Sequence, residues 1–387
     1  MSFFYIGGML NSEIVSAISS IVDPVYVPAE YPALYMLTQE WKCTLPFAGM
    51  RVLVATPIFR NTMLEYRALI CGGAELAVGR AVACGSEASM PCDPKVVEFL
   101  KNTGVEVLTP QEVLALEVED EYFDLILDCA GQFSKCHPRY GFVELTRSGV
   151  HFFEKAEMPV YVADSGIVKR IETSLGTGEG YIRGLRQSGY SDFEGKKFVV
   201  FGSGKVGAGI VLQLLREGAC VQVVTDTSFG VNGFLQANDV PVLDCKDMNE
   251  VAAVVRDAEF VVTATGVKNA LDVPEITAAL LESKAVLANM GVEDEYGANV
   301  PAARVLSEKS PLNFILEEPT HLKYIDASLA LHAALGERMM QDLNDTEEKS
   351  TLRNPPADLE QRILMVSIQN GTIGPEINEM LGYAPEE

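Results

Sequence analysis

The chain has 387 residues, which suffices for two domains with their own cores, and its 48% hydrophobic and 22% charged residues are typical of a globular protein. Its formal net charge of −24 disfavours nucleic acid and anionic membranes as partners. No apolar run reaches the roughly 18 residues of a membrane helix. We find no export signal, and the eight cysteines form no CxxC pair, so we expect reduced thiols and a cytoplasmic protein.

Strand and helix patterns alternate through the first half of the chain. Apolar, β-rich runs predict strands at 51–55, 75–78, 105–107, 124–128 and 158–162, and helical spacing predicts helices at 61–70 and 94–101. This alternation is typical of an α/β domain with a parallel sheet. We assign residues 1–185 to a first α/β domain of the substrate-binding or catalytic type.

A second alternating series begins near residue 195. Strands are predicted at 198–201, 220–225, 260–264, 285–288 and 314–316, with helices at 248–256 and 274–281 between them. We assign 190–325 to a Rossmann domain. Long helices at 177–187 and 326–343 connect the two domains, and 326–387 is expected to return to the first. The predicted fold class is therefore two doubly wound α/β domains around a cleft.

The clearest motif is the glycine turn after the strand at 198–201. Gly202 allows the tight turn, Gly204 allows backbone N–H groups to approach a pyrophosphate, and Gly207 allows the following helix to pack closely on the sheet. Lys205 and Val206 complete the turn. Asp226 ends the next strand, where a carboxylate binds ribose hydroxyls and repels a 2′-phosphate. No Arg follows Asp226, so the sequence favours NAD over NADP.

Several short motifs resemble the S-adenosylhomocysteine hydrolase family in order and spacing, over about residues 50–332. They are ILDCAG at 126–131, TRSGVH at 146–151, GSGKVGAG at 202–209, TATG at 263–266 and NMG at 289–291. The resemblance implies NAD as cofactor and a homo-oligomer, which we expect to be a dimer. It also implies further cofactor contacts at Thr146, Ser148, Thr173, Thr265, Gly266, Met290, Gly291 and Asp326.

The positions that carry proton transfer in that family differ here. That family oxidises the ribose 3′-OH with NAD, eliminates a thiol, adds water and reduces the product. The positions of its Asp, Glu, Lys and His residues hold Gln132, Leu145, Val168 and Val292. Because loss of one proton-transfer residue typically costs a hundredfold or more, this pattern favours another substrate.

Four residues are candidates for the catalytic role: His332, Lys169, Glu172 and His137. His332 either faces the nicotinamide or is a helix-face histidine. Lys169 either replaces the family lysine by a one-residue shift or forms a surface ion pair with Glu172, three residues away. His137, with Lys135 and Arg139, either holds an anionic substrate at the carboxyl end of a strand or belongs to an exposed loop.

Two further features favour structural roles. His151 lies beside Phe152 and Phe153, so we expect it in the core, and the charge run at 293–295 is expected on a solvated face. No His, Asp, Glu or Cys cluster has metal-ligand spacing, so no metal is expected.

Three functions remain open from the sequence. The first is an NAD-dependent oxidoreductase acting on a small polar metabolite. The second is an S-adenosylhomocysteine hydrolase with a rearranged active site. The third is a non-catalytic NAD-binding regulator. In each case we expect the protein to bind a small molecule, and we expect neither nucleic acid nor a membrane as a partner.

Overall fold

The structure is a computed structural model that describes residues 4–80, 92–342 and 351–382. The chain divides into two compact units. The first is Met1–Lys169 with Ile325–Gly374, and the second is Arg170–Tyr324 with Pro375–Glu387. Among the helices of the described ranges, none combines the length and apolar character that a bilayer crossing requires.

The strands of the described residues form two sheets, and every strand pairing in them is parallel. The strands are β1 (Arg51–Val54), β2 (Glu75–Gly79), β3 (Glu106–Leu108), β4 (Leu125–Asp128), β5 (Gly141–Glu144), β6 (Val160–Val162), β7 (Lys197–Phe201), β8 (Cys220–Thr225), β9 (Val242–Asp244), β10 (Phe260–Thr263), β11 (Val286–Asn289) and β12 (Leu352–Arg353).

The helices separate these strands along the chain. They are α1 (Phe4–Val22), α2 (Pro32–Thr44), α3 (Met63–Cys71), α4 (Pro94–Asn102), α5 (Pro110–Val118), α6 (Val168–Arg170), α7 (Thr177–Gln187), α8 (Lys205–Arg216), α9 (Gly233–Ala237), α10 (Met248–Asp257), α11 (Pro274–Glu282), α12 (Leu322–Asp342), α13 (Ala357–Asn370) and α14 (Gly374–Gly382). A π-helical segment, Ile171–Gly176, precedes α7.

The first unit contains a seven-stranded sheet in the order β12-β6-β5-β4-β1-β2-β3. Leu53, Ile126 and Phe142 are neighbours across β1, β4 and β5 and belong to one buried apolar cluster. The strand order reverses between β1 and β4. In open α/β sheets, a crevice for ligands forms at the carboxyl ends of strands at such a reversal.

The second unit contains a five-stranded sheet in the order β11-β10-β7-β8-β9. Val199, Val261 and Leu287 are neighbours across β7, β10 and β11 and pack in its core. The order reverses between β7 and β10, and the glycine turn follows β7. This arrangement confirms the predicted α/β class and the Rossmann topology.

Some predicted elements differ from the structure. The strand predicted at 314–316 is wrong, because Leu312–Ile315 forms a 3-10 helix. The short strands β5, β9 and β12 were not predicted. The connecting helix α12 begins at Leu322 instead of residue 326, and residue 343, its expected end, lies outside the described residues.

Candidate functional site

The glycine turn of the second unit has the geometry that a dinucleotide requires. Gly202 has φ +105, and a Cβ there would lie 2.4 Å from the Ala264 carbonyl oxygen. At Gly207 a Cβ would lie 2.1 Å from the Gly202 carbonyl oxygen, so α8 packs directly on the turn. Gly204 caps the start of α8, which Lys205 and Val206 open, and a Cβ on Gly204 would meet nothing within 4 Å. The turn is therefore tight on its protein side and open toward a ligand.

Asp226 follows β8 at the same edge of the sheet. Its Oδ1 accepts hydrogen bonds from the Ser228 backbone N–H at 3.0 Å, the Ser228 hydroxyl at 2.5 Å and Lys246 Nζ at 2.9 Å. The Ser228 hydroxyl and then Lys246 lower the pKa of Asp226 to about 2. The carboxylate is ionised at neutral pH and partly exposed, as a ribose-binding acid must be.

A third loop of this site follows β10. The Glu295 carboxylate accepts the Thr265 N–H at 2.9 Å, the Thr265 hydroxyl at 2.8 Å and the Gly266 N–H at 2.7 Å. Gly291 lies against this carboxylate, after the buried Met290. Glu295 is fully buried, so the expectation of a solvated charge run is wrong at this position. Its role is to fix the loop that contains Thr265 and Gly266.

The first unit has a second buried polar centre after β4. The Asp128 carboxylate accepts the backbone N–H groups of Cys129 and Phe133, and the Glu144 carboxylate accepts those of Ala130 and Gly131. Burial raises the pKa of both carboxyls, and the charge of Glu144 raises that of Asp128 further.

Thr146 and Ser148 extend this centre. The Thr146 N–H and hydroxyl both donate to Glu144 Oε1 at 2.7 Å, and the two hydroxyls of Thr146 and Ser148 lie 3.0 Å apart. Both residues therefore belong to the hydrogen-bonded turn of the first unit. Their contact with the cofactor stays a prediction.

His332 is fully buried in the middle of α12 and faces Glu65 of α3, with which it forms an ion pair when its ring is protonated. Its Nε2 lies 3.2 Å from the carbonyl oxygens of Asp128 and Val143, which only accept, so Nε2 carries a hydrogen. Its Nδ1 lies 2.9 Å from Glu65 Oε1, and one proton is held between them. Both ring nitrogens are thus occupied within the first unit, which favours a positioning role over direct contact with a nicotinamide.

Lys169 lies close enough to this pair to act on it electrostatically. Burial raises the pKa of the Glu65 carboxyl, and the charges of His332 and then Lys169 oppose that rise. Lys169 is only 2% exposed, so the alternative of a solvated surface ion pair with Glu172 does not apply. Glu172 and Thr173 lie in the π-helical segment of the second unit, and their roles stay predictions. A π-helix is an uncommon element that often marks functional sites.

Asp326 has a different environment from the one predicted. It is 1% exposed, and its two carboxylate oxygens accept the backbone N–H groups of Ala33 at 2.9 Å and Leu34 at 3.0 Å. These are first-turn donors of α2, which have no partner within their own helix. Asp326 therefore caps α2 within the first unit, and the cofactor contact that the resemblance implies for it stays a prediction.

Sequence analysis left two alternatives for His137, and the structure agrees with the exposed loop. The chain has reached the amino edge of the sheet by Arg139. The Arg139 N–H donates to the Phe123 carbonyl just before β4. The His137 ring is exposed and lies 2.9 Å from Glu117 Oε2, and Arg139 pairs with Asp124 at 3.3 Å. Two of the three expected anion-binding side chains are therefore already paired with carboxylates.

His151 also differs from the expectation. It is exposed and contacts the Phe152 ring, with the ring centroids 3.8 Å apart and the planes tilted by 41°, instead of packing in the core. Across the described ranges, no group of three or more His, Cys, Asp or Glu side chains is arranged to hold a metal ion.

Comparison with known proteins gives the same family in two ways. Residues 173–304 match the family described as "S-adenosyl-L-homocysteine hydrolase, NAD binding domain". Over 402 residues the chain is 24% identical to the adenosylhomocysteinase of Thermoplasma acidophilum, covering 90% of this chain and 92% of that protein. The adenosylhomocysteinase of Thermoplasma volcanium is 26% identical over 82% of this chain and 86% of its own length. The chain is a relative of the adenosylhomocysteinase family.

Solved structures show more distant likeness. A dipicolinate synthase from Bacillus halodurans has a TM-score of 0.48 and 16% identity, covering 74% of this chain and 99% of its own. A transhydrogenase from Sinorhizobium meliloti has a TM-score of 0.42 and 14% identity, covering 75% and 95%. At these scores the likeness does not extend to function.

The family domain that this chain matches binds NAD, and the residues present in the chain fit that cofactor. A Cβ at Gly204 would meet no protein atom within 4 Å, so the α8 N-terminus is open on the side where a pyrophosphate binds in such domains. Asp226 is ionised and ends the strand whose acid binds the ribose. Sequence analysis did not identify three residues of these polar sites, Glu65, Lys246 and Glu295. Glu65 and Lys246 belong to no motif, while Glu295 lies in a charge run that resembles a solvent-facing segment.

Proposed function

We propose that this chain is an NAD-dependent oxidoreductase that acts on a small polar substrate, and that it does not carry out the hydrolysis of its relatives. The observation that carries the proposal is the glycine turn, which is open at Gly204 and accompanied by the ionised Asp226. Bound NAD supplies a hydride acceptor for an alcohol carbon. The substrate itself is expected at the sheet reversal of the first unit, beside the turn that Asp128 and Glu144 hold.

The protein's own groups carry the remaining tasks. Backbone N–H groups at the start of α8 bind the pyrophosphate, and Asp226 accepts the ribose hydroxyls. Glu295 fixes the loop of Thr265 and Gly266. We assign proton transfer from the substrate alcohol to Lys169 Nζ, which accepts the proton as a neutral amine and afterwards carries the positive charge that acts on the buried pair of Glu65 and His332, its positioning residues.

The departures from the family pattern argue against hydrolysis. The elimination and addition of water need several proton-transfer groups, and the corresponding positions hold side chains that do not ionise, Gln132, Leu145, Val168 and Val292. Oxidation of an alcohol needs only one base besides the cofactor. We also propose a homodimer in the cytoplasm, which sedimentation and cell fractionation test.

The first experiment is mass spectrometry of the molecules released when the purified full-length protein is denatured. We expect NAD or NADH at about one per chain. The second step supplies nucleosides and small alcohols and follows the absorbance of reduced nicotinamide, with Lys169→Met as the variant that keeps the length of the side chain without its amine. We expect reduction by the native protein and a loss of a hundredfold or more in the variant.

The alternatives give different results. Release of homocysteine from S-adenosylhomocysteine by the native protein identifies a hydrolase with a rearranged site. Bound NAD without reduction by any substrate supports the regulator. Absence of any dinucleotide, before or after addition of NAD, overturns the proposal.

A further inference from the structure

A carboxylate from the C-terminal helix α13 lies against the segment that leads into Lys169. Glu360 Oε1 accepts the Val168 backbone N–H at 3.0 Å, across 192 positions of the chain. Gly166 leaves room for this carboxylate, because a Cβ at that position would overlap both carboxylate oxygens. Gly166 has φ −111 and ψ −170, which any residue adopts, so this position requires the absence of a side chain and not an unusual backbone.

Val168 is the first residue of a continuous helical run. The helix α6 passes directly into the π-helical segment and then into α7, which ends at Gln187. The first N–H groups of a helix have no partner within the helix, and negative charge is favourable beside them. The Glu360 carboxylate therefore satisfies one of these N–H groups and holds the start of the run.

Glu360 is itself held by packing within the first unit. Ile363, three residues along α13, is fully buried, and α13 packs on α2. The Thr372 N–H, just beyond α13, donates to the Ala29 carbonyl at 3.0 Å. The segment 166–169 belongs to the same unit. The carboxylate and the backbone that it holds are thus parts of one packed body.

Lys169 is the residue directly after Val168, so its Cα lies one peptide unit from this hydrogen bond. Its side chain is 2% exposed, and its charge acts on Glu65. Proton transfer needs a precisely placed base, and a displacement of about 1 Å can cost roughly a hundredfold in rate. We propose that Glu360 is a positioning residue for Lys169, with Gly166 as the residue that admits its carboxylate. The inference rests on the proposed role of Lys169 as the base.

The assay follows NAD reduction by the full-length protein, with the nucleoside or small alcohol that the native protein oxidises fastest, and rates are normalised to bound NAD. Glu360→Ala removes the acceptor of the Val168 N–H. We expect kcat to fall roughly tenfold or more, while KM for the alcohol and the affinity for NAD stay within about threefold. Glu360→Gln keeps an oxygen acceptor and is expected to retain most of the native kcat. The control is Asp358→Ala, which removes an exposed acid from the same helix and should leave kcat unchanged.

Gly166→Ala tests the same contact from the other side. The added methyl group displaces the Glu360 carboxylate, so we expect the loss of kcat that Glu360→Ala shows. The double variant of Gly166→Ala with Glu360→Ala should lose nothing further, because the carboxylate that the methyl group displaces is then absent. Circular dichroism checks folding, and Glu360→Asp, whose shorter side chain withdraws the carboxylate, replaces Glu360→Ala if that variant misfolds.

Combination with Lys169→Met separates positioning of Lys169 from a general structural role. If Glu360 acts through Lys169, Glu360→Ala should lower the residual rate of Lys169→Met by less than about twofold, because coupled residues are not additive. An equal loss in both backgrounds overturns the inference, because such a loss is independent of Lys169.

The other outcomes separate the inference from the proposed function. A native protein that reduces NAD with no alcohol overturns the proposed function and the inference with it. Full activity in Lys169→Met overturns the role of Lys169 as the base and, with it, the inference. A native protein that reduces NAD through Lys169, while Glu360→Ala keeps its kcat, overturns the inference alone.

Discussion

Substitution of Gly204 by valine separates ligand binding from folding. The backbone at this residue has φ −70 and ψ −168, which any residue adopts, and its Cβ would meet no protein atom within 4 Å. The side chain would instead enter the space beside the first N–H groups of α8. Hydrogen bonds to a charged group contribute about 1.5–3 kcal/mol each. Loss of two such bonds weakens NAD binding by roughly 10²–10⁴-fold.

The same substitution is expected to lower the free energy of unfolding by only about 1 kcal/mol, because Gly204 is the N-cap of α8 and valine is a poorer N-cap residue than glycine. Calorimetry of NAD binding and urea unfolding measure the two effects. Gly382→Val is the matched control, since a Cβ there also meets nothing within 4 Å. It lies on α14, which pairs through Glu376 and Glu379 with Arg216 at the opposite end of α8. Unchanged NAD affinity in Gly204→Val would refute the placement of the pyrophosphate.

Three further predictions concern buried carboxylates. His332→Leu leaves Glu65 without its partner and should lower the free energy of unfolding, measured in urea, by about 3–5 kcal/mol. The double variant with Glu65→Leu should recover most of that loss. Equal losses in both variants would contradict a buried ion pair. Glu295→Gln places an amide N–H against the N–H donors of the loop that contains Thr265 and Gly266. We therefore expect NAD to bind at least tenfold more weakly, with little change in circular dichroism. An unchanged dissociation constant for NAD would argue against this loop as a cofactor contact. Burial raises the pKa of Asp326 to about 7, above the 3.8 of an exposed carboxyl. The folded state therefore binds the extra proton, and this contribution to stability is lost as the pH rises from about 4 to 7. Asp326→Asn should remove that slope, on the order of 4 kcal/mol, from unfolding measured across this range, and a slope equal to that of the native chain would contradict it.

The NAD-binding domain was predictable because the sequence motifs that indicate it lie close together in the chain. A strand, a glycine turn and a helix follow one another within twenty residues, and Asp226 ends the next strand, so spacing alone predicts their geometry. The alternation of strands and helices likewise predicts parallel sheets. Motif resemblance placed the chain beside the adenosylhomocysteinases, and the comparisons confirm this relationship.

The partners of the buried charges depend on packing between distant segments. Glu65 and His332 are 267 positions apart, and Asp326 caps a helix that begins 294 positions before it, so no local pattern connects them. The two alternatives for His137 stayed open because the crossing between β4 and β5 carries no periodic signal of its own. The sequence by itself identified the part of the chain, residues 173–304, that matches an NAD-binding domain. Only the tertiary structure decided which carboxylates are buried in the fold and which stay exposed, because burial and hydrogen-bond partners are properties of the packed sheets and helices.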